Sequence, residues 1–180
     1  MLTNIQAIPA TSPPAQEDAV TMLVGCHQRI RNFTDVALRL AWSTEAPPQQ
    51  LADAAESVLR YYTVALPLHE ADENESLYMR LRDANPPADI LAADNAMLQQ
   101  HAEIDDVIAL LVPLWQSVQR DPASMQTFAL PLLARTERLN ELWQTHLKLE
   151  EEIIFPALRQ YLSDAELAAI AAEMHARRER

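Results

Sequence analysis

The sequence predicts an all-α fold: an antiparallel up-down-up-down four-helix bundle with a short extra C-terminal helix. The chain of 180 residues contains one glycine, Gly25. This nearly excludes hairpin-rich β folds, Rossmann fingerprints and phosphate-binding loops, which need glycine where φ is positive or where phosphate approaches the backbone. Long stretches carry apolar residues at spacings of three and four, as amphipathic helices do. The connections between them are short, which places consecutive helices antiparallel.

Proline-containing polar stretches divide the chain into its predicted elements. Proline pairs at residues 13–14, 47–48 and 86–87 are such stretches, and Asp121-Pro122 is another. Residues 1–16 are expected to form an N-terminal arm without regular structure. The four long helices are expected over residues 17–42, 49–82, 88–120 and 123–162.

The C-terminal helix is expected over residues 163–180. Ser163 and Glu166 have the spacing of a capping box, and alanine-rich helix formers follow them. The sequence leaves open whether this helix caps the bundle or forms a dimer contact. Prolines inside the longer helices are expected to kink rather than end them; they are Pro67, Pro113, Pro131 and Pro156.

Composition restricts the partners and the compartment. The formal net charge is −12, and an acidic protein repels phosphate backbones and anionic lipid surfaces, so we expect no nucleic-acid partner and no membrane association. The longest apolar run, residues 107–115, is too short to span a bilayer. The N-terminus lacks the pattern of a signal peptide. A single cysteine, Cys26, allows no internal disulfide, which favours a cytoplasmic location.

An internal repeat relates the second half of the chain to the first. Residues 69–81 align with residues 146–158, which pairs His69 with His146 and Glu73 with Glu150. The first and third helices align as well, and there His27 pairs with His101. The chain therefore resembles a duplicated helical hairpin in which each hairpin supplies one lone histidine and one His-x-x-x-Glu pair.

The repeat predicts a metal centre in the bundle core. Residues four apart share a helix face, so His69 with Glu73 and His146 with Glu150 can each present an imidazole and a carboxylate to one point. Apolar neighbours at helical spacing indicate that these groups point inward, as do those flanking the two lone histidines. Burying such groups unpaired would cost more than the net stability of a domain, about 5 to 15 kcal/mol, and bound metal removes that cost. The predicted ligands are His27, His69, Glu73, His101, His146 and Glu150.

These residues resemble the hemerythrin-like, or HHE cation-binding, family of four-helix bundles with a dinuclear non-haem iron site. The resemblance covers residues 17–160, and its most specific part is HLKLEEEIIFPAL at residues 146–158. It implies a hemerythrin-like domain at residues 17–162. It also implies two iron ions, joined by an oxo or hydroxo group and bridged by Glu73 and Glu150. From the ligand types alone, zinc or manganese also fits.

Two positions separate the chain from the oxygen-carrying hemerythrins. Those carriers have an aspartate five residues beyond the last-helix histidine, whereas here the carboxylate is Glu150, four residues beyond His146. Those carriers have a further histidine one turn after the third-helix histidine, where this chain has Asp105. The ligand set instead is similar to the bacterial di-iron branch that includes the iron-centre repair proteins. Two bridging glutamates and a bridging oxygen leave each iron one position short of octahedral. We therefore expect reaction with, or sensing of, dioxygen, peroxide or nitric oxide, or a part in iron-centre repair.

A second class of function stays open. In it the metal, zinc or another cation, only stabilises the helical module, and the acidic surface or the C-terminal helix binds a protein partner or a second copy of the chain. Several residues near the ligands are weaker candidates for the site. Asp105 is a candidate to ligate, to hydrogen-bond a ligand imidazole or to face solvent. Glu70 and Glu151 directly follow predicted ligands and are candidates to turn into the site, with a solvent-facing position favoured for Glu151. Tyr62 and Cys26 are expected to be buried core residues.

Overall fold

The computed structural model describes residues 18–179 and is helical throughout, without a strand in that range. This confirms the all-α prediction. The arm expected at residues 1–16 lies outside the described residues. No helix among the described residues is long and apolar enough to cross a membrane.

The first half of the chain contains two long helical segments joined by residues 43–47. Asp18 caps α1 by accepting a hydrogen bond from the Thr21 amide. The second segment ends at Asn85, whose positive φ of 51° suits the left-handed residue that follows a helix. The elements are α1 (Ala19–Trp42), α2 (Pro48–Arg60), a π-helical turn (Tyr61–Ala65), α3 (Leu66–Ala71), a second π-helical turn (Asp72–Leu77) and α4 (Tyr78–Asp83).

The second half repeats this plan and adds one helix. Helix α8 begins with the predicted capping box, in which the Ser163 hydroxyl accepts from the Glu166 amide and the Glu166 carboxylate accepts from the Ser163 amide. The elements are α5 (Ala88–Arg120), a 3₁₀ turn (Pro122–Ser124), α6 (Met125–Leu149), a third π-helical turn (Glu150–Ile154), α7 (Phe155–Tyr161) and α8 (Asp164–Arg178).

The second and fourth long segments were predicted as continuous α-helices, but the structure has π-helical turns within them. Two of them end two residues before Pro67 and Pro156, where a widened turn relieves the clash between a proline ring and the carbonyl four residues earlier. The other two interior prolines, Pro113 and Pro131, lie within α5 and α6. The helical segments thus continue past all four prolines.

Two apolar clusters fill the core, and a polar layer lies between them. The larger cluster includes Ile30, Leu66 and Ile104, and the smaller one includes Leu23 and Met97. On α1 and α5 the predicted ligands His27 and His101 fall between residues of the two clusters. The buried residues of α8 belong to the smaller cluster, so α8 packs on this bundle; they are Leu167, Ile170, Ala171 and Met174.

Candidate metal centre

The six predicted ligands converge in the polar layer and are buried. The largest exposed fraction among them is 5%, at His101. Their donor atoms form two groups that could each hold a metal ion, within which all ligand atoms lie within 4.8 Å of one another. One group, here the first subsite, contains His27 and His69; the other, the second subsite, contains His101 and His146. Both groups include Glu73 and Glu150.

Each glutamate lies between two histidines of different subsites. The Glu73 carboxylate is 3.2 Å from Nε2 of His69 and 3.2 Å from Nε2 of His101. The Glu150 carboxylate is 2.9 Å from Nε2 of His27 and 3.3 Å from Nε2 of His146. A carboxylate in this position can bridge two cations.

The inward atoms fit a cation. The Nε2 atoms of the four histidines and all four carboxylate oxygens of the two glutamates are buried without a hydrogen-bond partner in the described part of the chain, because their short contacts lack hydrogen-bond geometry. Leaving one such group unsatisfied costs about 1 to 3 kcal/mol. Imidazole nitrogen and carboxylate oxygen are both good donors to divalent metals, so bound cations would satisfy the whole set.

The local backbone brings each glutamate to the site in the same way. Glu73 and Glu150 lie in π-helical turns, and each accepts a hydrogen bond at its carbonyl from the amide five residues later, Tyr78 and Phe155 respectively. The two turns occupy equivalent positions of the sequence repeat. Short π-helical turns inside α-helices are frequent at functional sites.

The outward imidazole nitrogens of three histidines have oxygen partners. Nδ1 of His27 is 2.8 Å from a Glu151 oxygen, and Nδ1 of His146 is 3.1 Å from Oε1 of Gln100. Nδ1 of His101 is 3.3 Å from Oδ1 of Asn74. Because these oxygens accept, each Nδ1 carries the proton and each Nε2 presents a lone pair to the centre.

Nδ1 of His69 has no hydrogen-bond partner among residues 18–179. In the repeat, Cys26 occupies the position that corresponds to Gln100. The Cys26 sulfur is buried and accepts instead from Arg29 at 3.0 Å, with Arg178 at 3.7 Å. Burial raises the pKa of this thiol, which makes it a poor nucleophile.

Burial favours the neutral form of His69 and His146 in the metal-free centre. At His27 the hydrogen bond and charge of Glu150 outweigh burial and raise the pKa. Burial lowers the pKa of His146 to about 4 and lowers the pKa of His69 well below its usual value. Burial also raises the pKa of Glu73 well above its usual value, and the charge of Glu150 raises it further. Burial alone would raise the pKa of Glu150, but His146 and His27 hold it at about 2. Neutral imidazole is the form that binds metal.

The weaker candidates separate into two kinds. Tyr62 is a buried core residue whose hydroxyl shares a hydrogen bond of 2.7 Å with Thr34. Glu70 and Asp105 interact with each other beside His101. Burial raises the pKa of Glu70 to about 7, and the charge of Asp105 adds to this rise.

Glu151 was expected to face solvent, but the structure places its carboxylate against His27 and Arg31. Its carboxylate is one-third exposed, but it accepts from His27 and forms a salt bridge of 2.8 Å with Arg31. The repeat contains a pattern that predicts two of the residues hydrogen-bonded to the outward Nδ1 atoms. Glu151 and Asn74 each directly follow a predicted glutamate ligand. Gln100 directly precedes His101. Neither Asn74 nor Gln100 stood out from the sequence alone.

The comparison with protein families agrees with this geometry. The family model of the hemerythrin HHE cation binding domain matches residues 18–158, which is most of the chain and includes all six predicted ligands. No curated protein sequence matches the chain significantly. The chain belongs to the hemerythrin HHE cation-binding domain family, which implies a metal cation as its cofactor.

Proposed function

We propose that the chain binds two metal ions, one at each subsite, through His27, His69, Glu73, His101, His146 and Glu150. The observation that carries this proposal is the set of buried inward atoms without hydrogen-bond partners. His27 and His69 would hold one ion, His101 and His146 the other. Glu73 and Glu150 would bridge them, since each carboxylate contacts one histidine of each subsite.

We further propose that four long segments form the predicted antiparallel up-down-up-down bundle at residues 17–162, followed by a C-terminal helix at 163–180. Contacts between α1 and the last long segment support this arrangement because they run in opposite chain order. They join Asp18 to Arg159, Arg31 to Glu151, and the Thr44 carbonyl to Gln126.

Iron is the metal that we propose, in a protein of the bacterial di-iron branch. A bound iron pair supplies one-electron redox chemistry to a small ligand. The chain offers each ion two imidazole nitrogens and two carboxylate oxygens, fewer donors than an octahedral ion accepts. The oxygen carriers have a further histidine ligand at the position of Asp105. In this chain Asp105 interacts with Glu70. Room therefore remains at the ions for an external ligand.

The protein around the centre restricts the size of that ligand. The larger apolar cluster lies on one side of the polar layer and the smaller cluster on the other. Phe155 lies 4.9 Å from the His27 ring and Trp143 lies 5.4 Å from the His146 ring, measured between ring centroids. We propose dioxygen, nitric oxide or peroxide as the reactant, in a cytoplasmic protein.

The test is spectroscopic. Metal-free protein is loaded anaerobically with ferrous iron and then exposed separately to dioxygen, peroxide and nitric oxide. We expect a new charge-transfer absorption band with at least one of them, reversed by reductant in the case of an oxidant. Glu150→Gln should abolish the band, while the control Glu152→Gln, at an exposed position of the same turn, should retain it. Protein that holds two irons without any spectral response would overturn the redox function.

A further inference from the structure

The repeat makes the inward atoms of the two subsites equivalent, but the groups behind the imidazoles differ in charge. Behind the first subsite, Nδ1 of His27 donates to the carboxylate of Glu151 at 2.8 Å. Behind the second subsite, His101 and His146 donate to the neutral amides of Asn74 and Gln100, at 3.3 and 3.1 Å. Glu151 and Asn74 occupy equivalent positions of the repeat. The two halves therefore differ there by a charged carboxylate in place of a neutral amide.

The Glu151 carboxylate is held in place by a second contact. Nη2 of Arg31 lies 2.8 Å from Oε1 and 2.9 Å from Oε2 of Glu151. Asn74 is exposed and has no comparable anchor among its hydrogen bonds. The Glu151 carboxylate is therefore fixed against the imidazole of His27, whereas the Asn74 amide contacts His101 through one long hydrogen bond.

The chemical consequence concerns the donor strength of Nε2. A carboxylate that accepts from Nδ1–H forms a charge-assisted hydrogen bond, which draws the proton away from the ring more than an amide oxygen does. The electron density on the other nitrogen rises, and with it the affinity for a cation. Loss of such an outer partner typically lowers metal affinity about 10- to 100-fold.

Other groups near the centre also differ between the subsites. Glu70 and Asp105 lie near His101 and interact with it through their charge, but Nδ1 of His101 pairs with Asn74. Nδ1 of His69 has no partner among the described residues, and Cys26, at the position that matches Gln100, accepts from Arg29 instead. Among the described residues, Glu151 is the only carboxylate that accepts a hydrogen bond from an outward imidazole nitrogen.

We propose that the two subsites bind metal with unequal affinity, and that Glu151 is the positioning residue that makes the His27/His69 subsite the tighter one. This inference rests on the proposed function, because it requires that both subsites bind an ion. It implies that the protein fills in two steps and that the His27/His69 subsite is occupied first. Metal pairs of mixed identity become accessible to such a protein, with the ion of higher charge or affinity beside His27.

Anaerobic calorimetric titration of the metal-free chain with cobalt(II) tests the proposal. We expect two binding steps in the wild type, with dissociation constants that differ by at least tenfold. In Glu151→Gln the tighter step should weaken by at least tenfold while the weaker step stays unchanged. In Asn74→Asp, which places a carboxylate at the matched position behind His101, the weaker step should tighten. Crystals grown with one equivalent of cobalt should show anomalous density beside His27.

Arg31→Gln is the matched control, because it removes the salt bridge and leaves the Glu151 carboxylate next to His27. It should retain two unequal steps, with the tighter step weakened less than in Glu151→Gln because the carboxylate loses its anchor but not its hydrogen bond to His27. Glu151 and Asn74 both lie at the surface, so their variants should fold. Asn74→Asp adds a test in which metal affinity should increase rather than fall. Two equal steps in the wild type, or an unchanged ratio in Glu151→Gln, would overturn the inequality alone. A chain that binds no cobalt would overturn the proposed function itself.

Discussion

At the scale of single residues, buried polar groups in this molecule differ in whether their neighbours satisfy them. The outward nitrogens of three proposed ligand histidines have oxygen partners, whereas the inward nitrogens have none within the described residues. Outside the proposed centre, Asp94 differs from its surroundings in the same way. Asp94 on α5 is fully buried, and neither of its oxygens has a hydrogen-bond partner in the described part of the chain.

Asp94 makes stability depend on pH. Burial raises its pKa to about 7, against an opposing effect of the positive charge of Arg82, while in the unfolded chain the value is 3.8. Between these pH values the folded state binds more protons than the unfolded state, so the stability from this group falls as the pH rises. We expect Asp94→Asn to remove about 1 to 3 kcal/mol of the stability that the wild type loses between pH 5 and pH 8.

Urea unfolding of metal-free protein at pH 5 and pH 8 measures this difference. The histidine cluster contributes equally to both proteins, so the difference between them isolates Asp94. If the wild type and Asp94→Asn lose the same stability over this interval, Asp94 ionises freely in the folded protein and the account of its burial is wrong.

The convergence of the proposed ligands was predictable because the repeat placed the same residue types at equivalent positions. His69 with Glu73 and His146 with Glu150 share both spacing and apolar neighbours. The outer partners were not predictable to the same degree. Glu151 lies in a run of three glutamates, and only the packing of α1 against this turn selects which carboxylate reaches His27.

At the scale of elements, local sequence patterns predict where helices start, but they do not predict the π-helical turns inside the helices. The capping box at Ser163 and the proline pair before Ala88 set the starts of α8 and α5 where the sequence predicts them. The π-helical turns escaped prediction, because apolar spacing of three and four does not distinguish an α-helix from one that contains a single wide turn. The turn at Asp72–Leu77 has no proline within it or directly after it.

Helix α8 is held to the bundle by a buried ion pair as well as by apolar packing. Asp72, fully buried and next to the proposed ligand Glu73, accepts from Arg177 at 3.0 Å and from Arg178 at 2.6 Å. Removing the partners of a buried charge is strongly destabilising. We expect the double variant Arg177→Ala with Arg178→Ala to lose about 3 to 5 kcal/mol of unfolding free energy, measured in guanidinium chloride.

The control for this double variant is Arg39→Ala. Arg39 pairs with Asp35 on the same helix, and both side chains are more than half exposed. Such a pair contributes about 0.3 to 0.5 kcal/mol. Equal, small losses in the control and in the double variant would show that apolar packing alone holds α8 on the bundle.

At the scale of the whole molecule, the sequence was sufficient for the fold class because several independent signals agreed. The near absence of glycine, the short connections and the apolar spacing all indicate helices, and the family match covers residues 18–158. The metal itself follows less directly. Imidazole and carboxylate donors bind iron, manganese and zinc, so the residues alone do not select among them.

The arrangement of the core links stability to metal binding. A polar layer of six buried, proposed ligands divides two apolar clusters, and its unpaired atoms weaken the metal-free bundle. Ions that bind only the folded state stabilise it by about 2.7 kcal/mol at 100 times their dissociation constant. For a chain of this size that corresponds to a rise in Tm of roughly 5 to 11 °C.

The most direct test of the central claim is the metal content per chain, measured by elemental analysis after iron loading and desalting, with Tm recorded on the same samples. Wild type and the exposed control Glu152→Gln should hold two irons and gain the Tm increase. Glu73→Gln and Glu150→Gln should each hold at most one iron and lose most of the increase. Wild-type protein without bound metal, or glutamate variants that still hold two ions, would contradict the proposed centre.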